Sequence, residues 1–279
     1  MGIGPDENLI YPAAGDLSVI VPVYNEERTL RAIIDKLVKV PGLKEVVIVD
    51  DASTDSSPDI IARVSERYPM IRSIRLDKNS GKTAAIRAGT KETSGDIVMI
   101  QDADLEYDPS EIPSVVAPIR EGVADVVYGS RFMVKRAARV IYYYHYLGNK
   151  ALTIVSNLLT NVNFSDIETC YKAFRGEIIR NLTITSSGFG FEVEATAKIA
   201  KLRCRIYEVP ISYYGRTYQE GKKITYRDGV AALYYILQFN LFCSLRNSFV
   251  EIPLLGERKP VILPSDEPGK HELPVRSEV

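Results

Sequence analysis

The chain has 279 residues, with 35 Lys and Arg against 36 Asp and Glu, 46% hydrophobic and 25% charged. This is the make-up of an ordinary globular protein long enough to bury a sizeable core, which excludes wholesale disorder. A net charge of −1 argues against a dedicated nucleic-acid binder.

Residues 1–16 read as an N-terminal extension. Met1 to Gly15 has no basic segment followed by an apolar run, so no secretory leader is expected and a cytoplasmic protein is. Leu17 to Asn25 predicts a first strand, and Glu26 to Val38 a helix with Asn25 as N-cap and Leu30, Ile33, Ile34 and Leu37 on one face. Glu45 to Asp51 reads as a strand, Ser53 to Tyr68 as a helix, Met70 to Leu76 as a strand and Gly81 to Thr90 as a helix. Strands follow at Asp96 to Asp104 and Asp125 to Ser130. Nearly continuous Val and Ile runs predict strands buried on both faces, hence an α/β fold with a mostly parallel sheet between helices. Ligands of such sheets collect at the carboxyl ends of the strands. Polar clusters fall there: Tyr24 to Glu26, Asp50-Asp51, Asp77 to Lys82, Asp102 to Asp108 and Gly129 to Arg131.

After Arg131 the texture changes. Arg139 to Thr160 reads as a helix with Ile141, Tyr144, Gly148, Ala151 or Leu152, Val155 and Leu158 or Leu159 on one apolar stripe. Thr169 to Arg175 reads as a strand, Phe191 to Lys201 as a helix, Arg205 to Tyr214 as a broken strand, and Tyr226 to Leu245 as a long apolar helix. No stretch reaches the roughly 20 apolar residues of a membrane span. Five of the 15 prolines fall after residue 250, so the expected divisions are 1–16, 17–130, 131–250 and a Pro-rich tail, 251–279. Cys170, Cys204 and Cys243 are odd in number and widely spaced, and read as buried thiols of a reducing compartment.

The strongest chemical signal is Gln101 to Pro109, where Asp102, Asp104, Glu106 and Asp108 alternate directly after a strand. Hard oxygen ligands at this density suit Mg²⁺ or Mn²⁺ sharing substrate phosphate oxygens. A calcium EF-hand fails, because its turn needs Gly where Tyr107 stands, and Asp108 reads as a cap before Pro109. Asp50 and Asp51 end a strand together; one caps the next helix, and the other suits a nucleobase N–H or ribose hydroxyl. Lys82, in Asn79 to Thr83, misses the P-loop spacing because Leu76 stands where the first glycine belongs; an anion-site or a structural role is left. No GxGxxG follows the first strand, and His145 and His271 are the only histidines, so nicotinamide and Ser-His-Asp chemistry are set aside.

Taken together, VPVYNEE, VDDASTDSS, NSGKTAAIRAG, DADLEYDP, GSRF, ETCYKAFR, GFGFEVEATAKI and EVPISYYGRTYQEGKKI resemble the family 2 glycosyltransferases, in the dolichol-phosphate mannosyltransferase/glucosyltransferase branch. The resemblance runs from Leu17 to Phe242. It implies a GT-A fold, a nucleotide-sugar-binding half over 17–130 and an acceptor-binding, membrane-proximal half over 131–250. It further implies that Pro22, Tyr24, Glu26 and Asp51 hold the nucleoside; Asp50 and Lys82, from the reading of the residues above, are counted with them as candidate nucleotide ligands. Asp102 and Asp104, as a DXD motif, would lie with Glu106 at the metal; relatives associated with mannosyl transfer often carry Gln where this chain has Glu106. Arg216, Lys222 and Lys223 would form a closing cationic loop hinged at Gly215 and Gly221.

The expected reaction is inverting transfer of a hexose from UDP-glucose or GDP-mannose to a polyprenyl phosphate, assisted by Mg²⁺ or Mn²⁺. An anionic acceptor needs no base; a hydroxyl acceptor does, and Glu192 or Glu194 could serve as that base or bind sugar hydroxyls. Arg131 is placed for an acceptor or donor phosphate, or for a salt bridge at the sheet edge. Between Asp125 and Asp166 there is no acid, while Arg131, Lys135, Arg136, Arg139 and Lys150 are basic and Tyr142, Tyr143, Tyr144 and Tyr146 crowd one helix. That pattern suits the cytosolic face of a membrane, or else a helix with a tyrosine-rich rim. The 226–245 helix, with Tyr234, Tyr235, Phe239 and Phe242, would be buried, half sunk in lipid, or packed on a membrane-protein partner or second copy. The alternatives are a soluble or polysaccharide hydroxyl acceptor, a nucleotidyltransferase, or a non-catalytic nucleotide-sugar-binding subunit. No nucleic-acid partner is expected.

Overall fold

The computed structural model describes residues 15–133, 142–216 and 226–255. The Val/Ile runs become strands of one seven-stranded sheet, in the order β3-β2-β1-β4-β6-β5-β7. These are β1 (Leu17–Val23), β2 (Leu43–Asp50), β3 (Ile71–Arg75), β4 (Ile97–Ile100), β5 (Val126–Ser130), β6 (Lys172–Arg175) and β7 (Ile206–Pro210). Central β4 and β5 are buried throughout, whereas edge strand β3 is largely solvated, as a one-sided neighbour requires. Every pairing is parallel except those of β6, which runs antiparallel between β4 and β5, with Val98 opposite Phe174 and Val127 opposite Ala173. Both expected halves therefore share this one sheet.

Helices α1 (Leu30–Leu37), α2 (Ser57–Arg67), α3 (Lys82–Glu92) and α4 (Ile112–Arg120) connect the first five strands. Helix α1 starts four residues later than the sequence predicts, and Asn25 is not its cap. Asn25 takes a left-handed φ of 53°, and its Oδ1 accepts Thr54 N–H at 2.8 Å. Asp108 caps the turn Pro109–Glu111 that leads into α4, its Oδ1 accepting Ser110 N–H at 3.1 Å, as its reading as a cap expects, whereas α6 (Gly176–Asn181) and α9 (Leu245–Ser248) were not anticipated. The Ser244 hydroxyl accepts Asn247 N–H at 3.3 Å, so the long apolar segment splits into α8 (Tyr226–Leu241) and α9.

Helices α5 (Tyr143–Thr160), α7 (Phe191–Leu202) and α8 pack against one another. The predicted stripe of α5 holds only in part. Leu152 and Val155 pack on the core, but Thr153 and Ser156 are the fully buried residues, and Tyr144 is 83% exposed. Tyr143, Ile154 and Leu158 face outward with it, as do Val230, Tyr234 and Leu241 of α8. Among the described residues no helix is long and apolar enough to cross a membrane. Only Cys170 of the three cysteines is buried; Cys204 and Cys243 are partly exposed. The segments around Lys135, Arg136 and Arg139, around Gly221, Lys222 and Lys223, and the tail beyond 255 lie outside the described residues.

Candidate active site

The carboxyl ends of β1, β2 and β4 open onto a cavity of about 850 Å³, closed on the far side by α5, the start of α7 and the segment after β7. Pro22, Tyr24, Glu26, Asp51, Lys82, Asp102, Asp104, Glu106, Arg131, Glu192 and Arg216 all line it. Asp50 and Glu194 do not.

Asp50 turns back into the fold: Oδ1 accepts Ser53 N–H at 2.9 Å, and Oδ2 stands 3.0 Å from Arg75. It shapes the turn before α2, which corrects its expected place at the nucleotide. Asp51 faces the cavity while its oxygens accept Ser80 and Gly81 N–H at 2.8 and 2.7 Å. Glu194 is fully buried and saturated by Thr185, Ser186 and a 2.6 Å ion pair with Lys198. With every oxygen engaged away from the cavity, it cannot act as a base or bind sugar, so that expectation is withdrawn.

Helix α3 begins at Gly81, whose φ of +88° an L side chain rarely adopts, and whose missing Cβ would stand 2.9 Å from Gly188 Cα. Thr83 N–H and hydroxyl donate to Gly188 O, each at 3.0 Å, and Phe191 N–H donates to the Thr83 hydroxyl. This contact seats α7 on α3. Gly81→Ala should cost about 1–3 kcal/mol of stability through strain and clash, measured by denaturant unfolding; a change under about 0.5 kcal/mol would remove the close approach as its cause.

One residue on, Lys82 Nζ lies 2.9 Å from both Asp102 and Glu192. Burial alone would lower its pKa, but these acids hold it well above the ordinary lysine value. Across the cavity Arg216 reaches Asp104 at 2.8 Å, Glu106 at 3.3 Å and Glu26 at 3.5 Å. Two cations thus sit on the two aspartates that follow β4. Burial, then the charges of Asp102 and Glu106, push Asp104 up to about 7.

Glu106 departs from the expected metal set. Its oxygens accept the Tyr213 hydroxyl at 2.8 Å and Arg216 N–H at 2.8 Å, and its carbonyl accepts Tyr214 N–H. It moors the segment after β7 instead. Arg131 is held bidentately by Asp166, both bonds 2.7 Å, and lies over the Tyr213 ring at 5.1 Å. The sheet-edge salt bridge and the cavity position are therefore both real. Glu168 and Tyr213, which line the cavity, and Asp166, which holds Arg131, were missed by sequence reasoning.

A family model for glycosyl transferase family 2 matches residues 18–183, which hold the strands and acids just described through β6. The chain belongs to glycosyl transferase family 2. Over 210 residues this family 2 chain is 30% identical to dolichol-phosphate mannosyltransferase of Pyrococcus furiosus, covering 74% of the chain and 58% of that protein. Over 211 residues it is 28% identical to undecaprenyl-phosphate mannosyltransferase of Micrococcus luteus, covering 73% and 85%. Among solved structures it is similar to glucosyl-3-phosphoglycerate synthase from Mycobacterium tuberculosis in complex with Mn²⁺, UDP and phosphoglyceric acid. The TM-score is 0.61 at 21% identity, over 81% of this chain and 79% of that one, a likeness of GT-A fold.

Proposed function

We propose that the chain is an inverting, metal-dependent glycosyltransferase that moves a hexose from a UDP- or GDP-sugar to a polyprenyl phosphate. The observation that carries this reading is the pairing of Asp102 with Lys82 and Asp104 with Arg216 on the cavity floor. Departure of a nucleoside diphosphate builds negative charge on the leaving group, and cations released from carboxylates onto its oxygens stabilise that charge.

The donor set fits Mg²⁺ or Mn²⁺. Asp102 and Asp104 would hold the ion, which when bound acts as a Lewis acid on the leaving diphosphate. Among the described residues no three ligating side chains converge ready-made, in keeping with an ion that takes its other ligands from substrate phosphate and water. Pro22, Tyr24, Glu26 and Asp51 would surround the nucleoside. Arg131, across the cavity, would hold the acceptor phosphate; an anionic oxygen there attacks without a general base.

A membrane surface would bring the acceptor. The outward faces of α5 and α8 support this: they are apolar and tyrosine-rich, and between Asp228 and Arg246 the sequence has no charged residue. A hydroxyl acceptor is the second reading, favoured by Glu192, a carboxylate on the cavity wall 2.9 Å from Lys82. A panel of UDP-glucose and GDP-mannose with Mg²⁺ or Mn²⁺ and a short polyprenyl phosphate tests the proposal. Release of nucleoside diphosphate, with product mass increased by one hexose, is expected. Release of inorganic pyrophosphate would instead mark a nucleotidyltransferase, and donor binding without turnover of any acceptor would mark a binding subunit.

A further inference from the structure

Tyr213, three residues beyond β7, touches both ends of the cavity that it lines. Its ring lies 5.1 Å from the Arg131 guanidinium, and its hydroxyl donates to Glu106 Oε2 at 2.8 Å. One side chain therefore meets both the cation assigned to the acceptor phosphate and the carboxylate two residues past Asp104.

The surroundings of this ring hold it still. Ile211 N–H donates to Ser130 O at 3.1 Å, which ties the segment to the last residue of β5, beside Arg131. Ser212 gives its N–H and its hydroxyl to Glu111 at 2.8 and 2.9 Å, and Tyr214 N–H donates to the Glu106 carbonyl at 2.9 Å. The ring also packs 5.4 Å from Tyr107, which stacks on Tyr171 at 4.8 Å, and the Tyr171 hydroxyl donates to Gln101 Oε1 at 2.6 Å. A ring fixed in this way is a rigid support, and its face attracts a guanidinium at this range. Asp166 alone would not complete the hold on Arg131. A bidentate pair keeps the guanidinium in the plane of the carboxylate, and the tilt about that contact is left for the ring to set.

We propose that Tyr213 is a positioning residue that couples the two ends of the site: its ring sets the tilt of Arg131, and its hydroxyl ties that ring to the loop of Asp102 to Glu106. This rests on the glycosyltransferase reading and adds how the acceptor cation is kept in register with the donor end. The hydroxyl is not a proton donor for the reaction. Its proton is committed to Glu106, and an anionic acceptor with a diphosphate leaving group needs neither an acid nor a base from it.

The test is the steady-state kinetics of Tyr213→Phe and Tyr213→Leu with a short polyprenyl phosphate, Mn²⁺ and whichever of UDP-glucose and GDP-mannose wild type uses. Tyr213→Leu removes the ring and should raise acceptor KM about tenfold, the scale of one desolvated cation–ring contact. Tyr213→Phe restores the ring without its tie to Glu106, and should raise acceptor KM only about threefold, because the lost hydrogen bond acts at one remove. In both, acceptor KM should rise more than kcat falls, and calorimetric affinity for the bare nucleotide should stay within about twofold of wild type. Two cycles read the coupling itself. In an Arg131→Ala background the Tyr213→Leu effect on acceptor kcat/KM should shrink below about twofold, and in a Glu106→Ala background so should that of Tyr213→Phe. A large loss of kcat in Tyr213→Phe with acceptor KM unchanged would make the hydroxyl catalytic. Full additivity with Arg131→Ala, or equal losses for nucleotide and acceptor, would reduce Tyr213 to packing. Each of these outcomes overturns the assignment and leaves the glycosyltransferase reading standing. If wild type transfers no sugar to the polyprenyl phosphate, that reading falls and takes this one with it.

Discussion

Asp104→Asn is expected to lower donor turnover about a thousandfold with the fold unchanged, the loss seen when a preorganised transition-state charge contact is removed. The substitution keeps the shape and removes one of the two negative charges proposed to hold the metal. Its effect on stability should have the opposite sign. Asp104 is pushed from an ordinary 3.8 up to about 7, so the folded metal-free protein binds its proton more tightly than the unfolded chain does. The stabilisation from that proton is complete below about pH 4 and is lost as pH rises through 7. At pH 8 the ionised group repels Asp102 and Glu106, and the variant escapes that repulsion. In chelator, Asp104→Asn should therefore melt above wild type at pH 8 and together with it near pH 4. Added Mn²⁺ should raise the melting temperature of wild type only. Retained turnover, or equal stabilisation of both proteins by Mn²⁺, would remove Asp104 from the metal.

The contrast between Asp104 and Glu106 shows where sequence reasoning stopped. Alternating acids after a strand read as one converging set only if the backbone stays extended. Leu105 instead adopts a left-handed φ of 62°, a strain found mostly at functional sites, and Glu106 turns to the Tyr213–Arg216 segment. Nothing local in the sequence marks a leucine for that conformation. Asn25 failed for a related reason: the residue types preferred at N-caps are also those that tolerate the left-handed region, and a contact with Thr54 from the next connection decided between them. Apolar runs of Val and Ile were legible because burial repeats along a whole strand. The facing of α5 was legible only in part: Leu152 and Val155 pack on the core, but its fully buried positions are the polar Thr153 and Ser156. Glu168 was invisible as a lone acid between Ile167 and Thr169; only the fold brings it to the cavity wall that Glu192, distant in sequence, also lines.

Arg131→Ala should reduce acceptor-dependent kcat/KM by about 10²–10³-fold while nucleotide affinity stays near wild type. Its guanidinium is a held group rather than a swinging one: Asp166 takes Nε and one Nη, the Tyr213 ring lies 5.1 Å from it, and the residue lines the cavity. The aim is set from deeper still. Glu208 on β7 accepts Ser165 N–H at 2.9 Å and Asp166 N–H at 3.3 Å, tying the backbone that carries Asp166 to the sheet. A simple truncation is confounded, however, because Asp166 is fully buried and would be left as an unpaired charge, at a cost of about 3–5 kcal/mol. The Arg131→Ala/Asp166→Asn double variant separates the two effects. It should recover most of the lost stability and none of the acceptor activity. Asp166→Asn alone keeps Arg131 but weakens its bidentate hold, and should raise acceptor KM more than it lowers kcat, as expected of a positioning residue. If KM for acceptor and donor are both unchanged in Arg131→Ala, the guanidinium serves only the salt bridge and the acceptor phosphate must be held elsewhere.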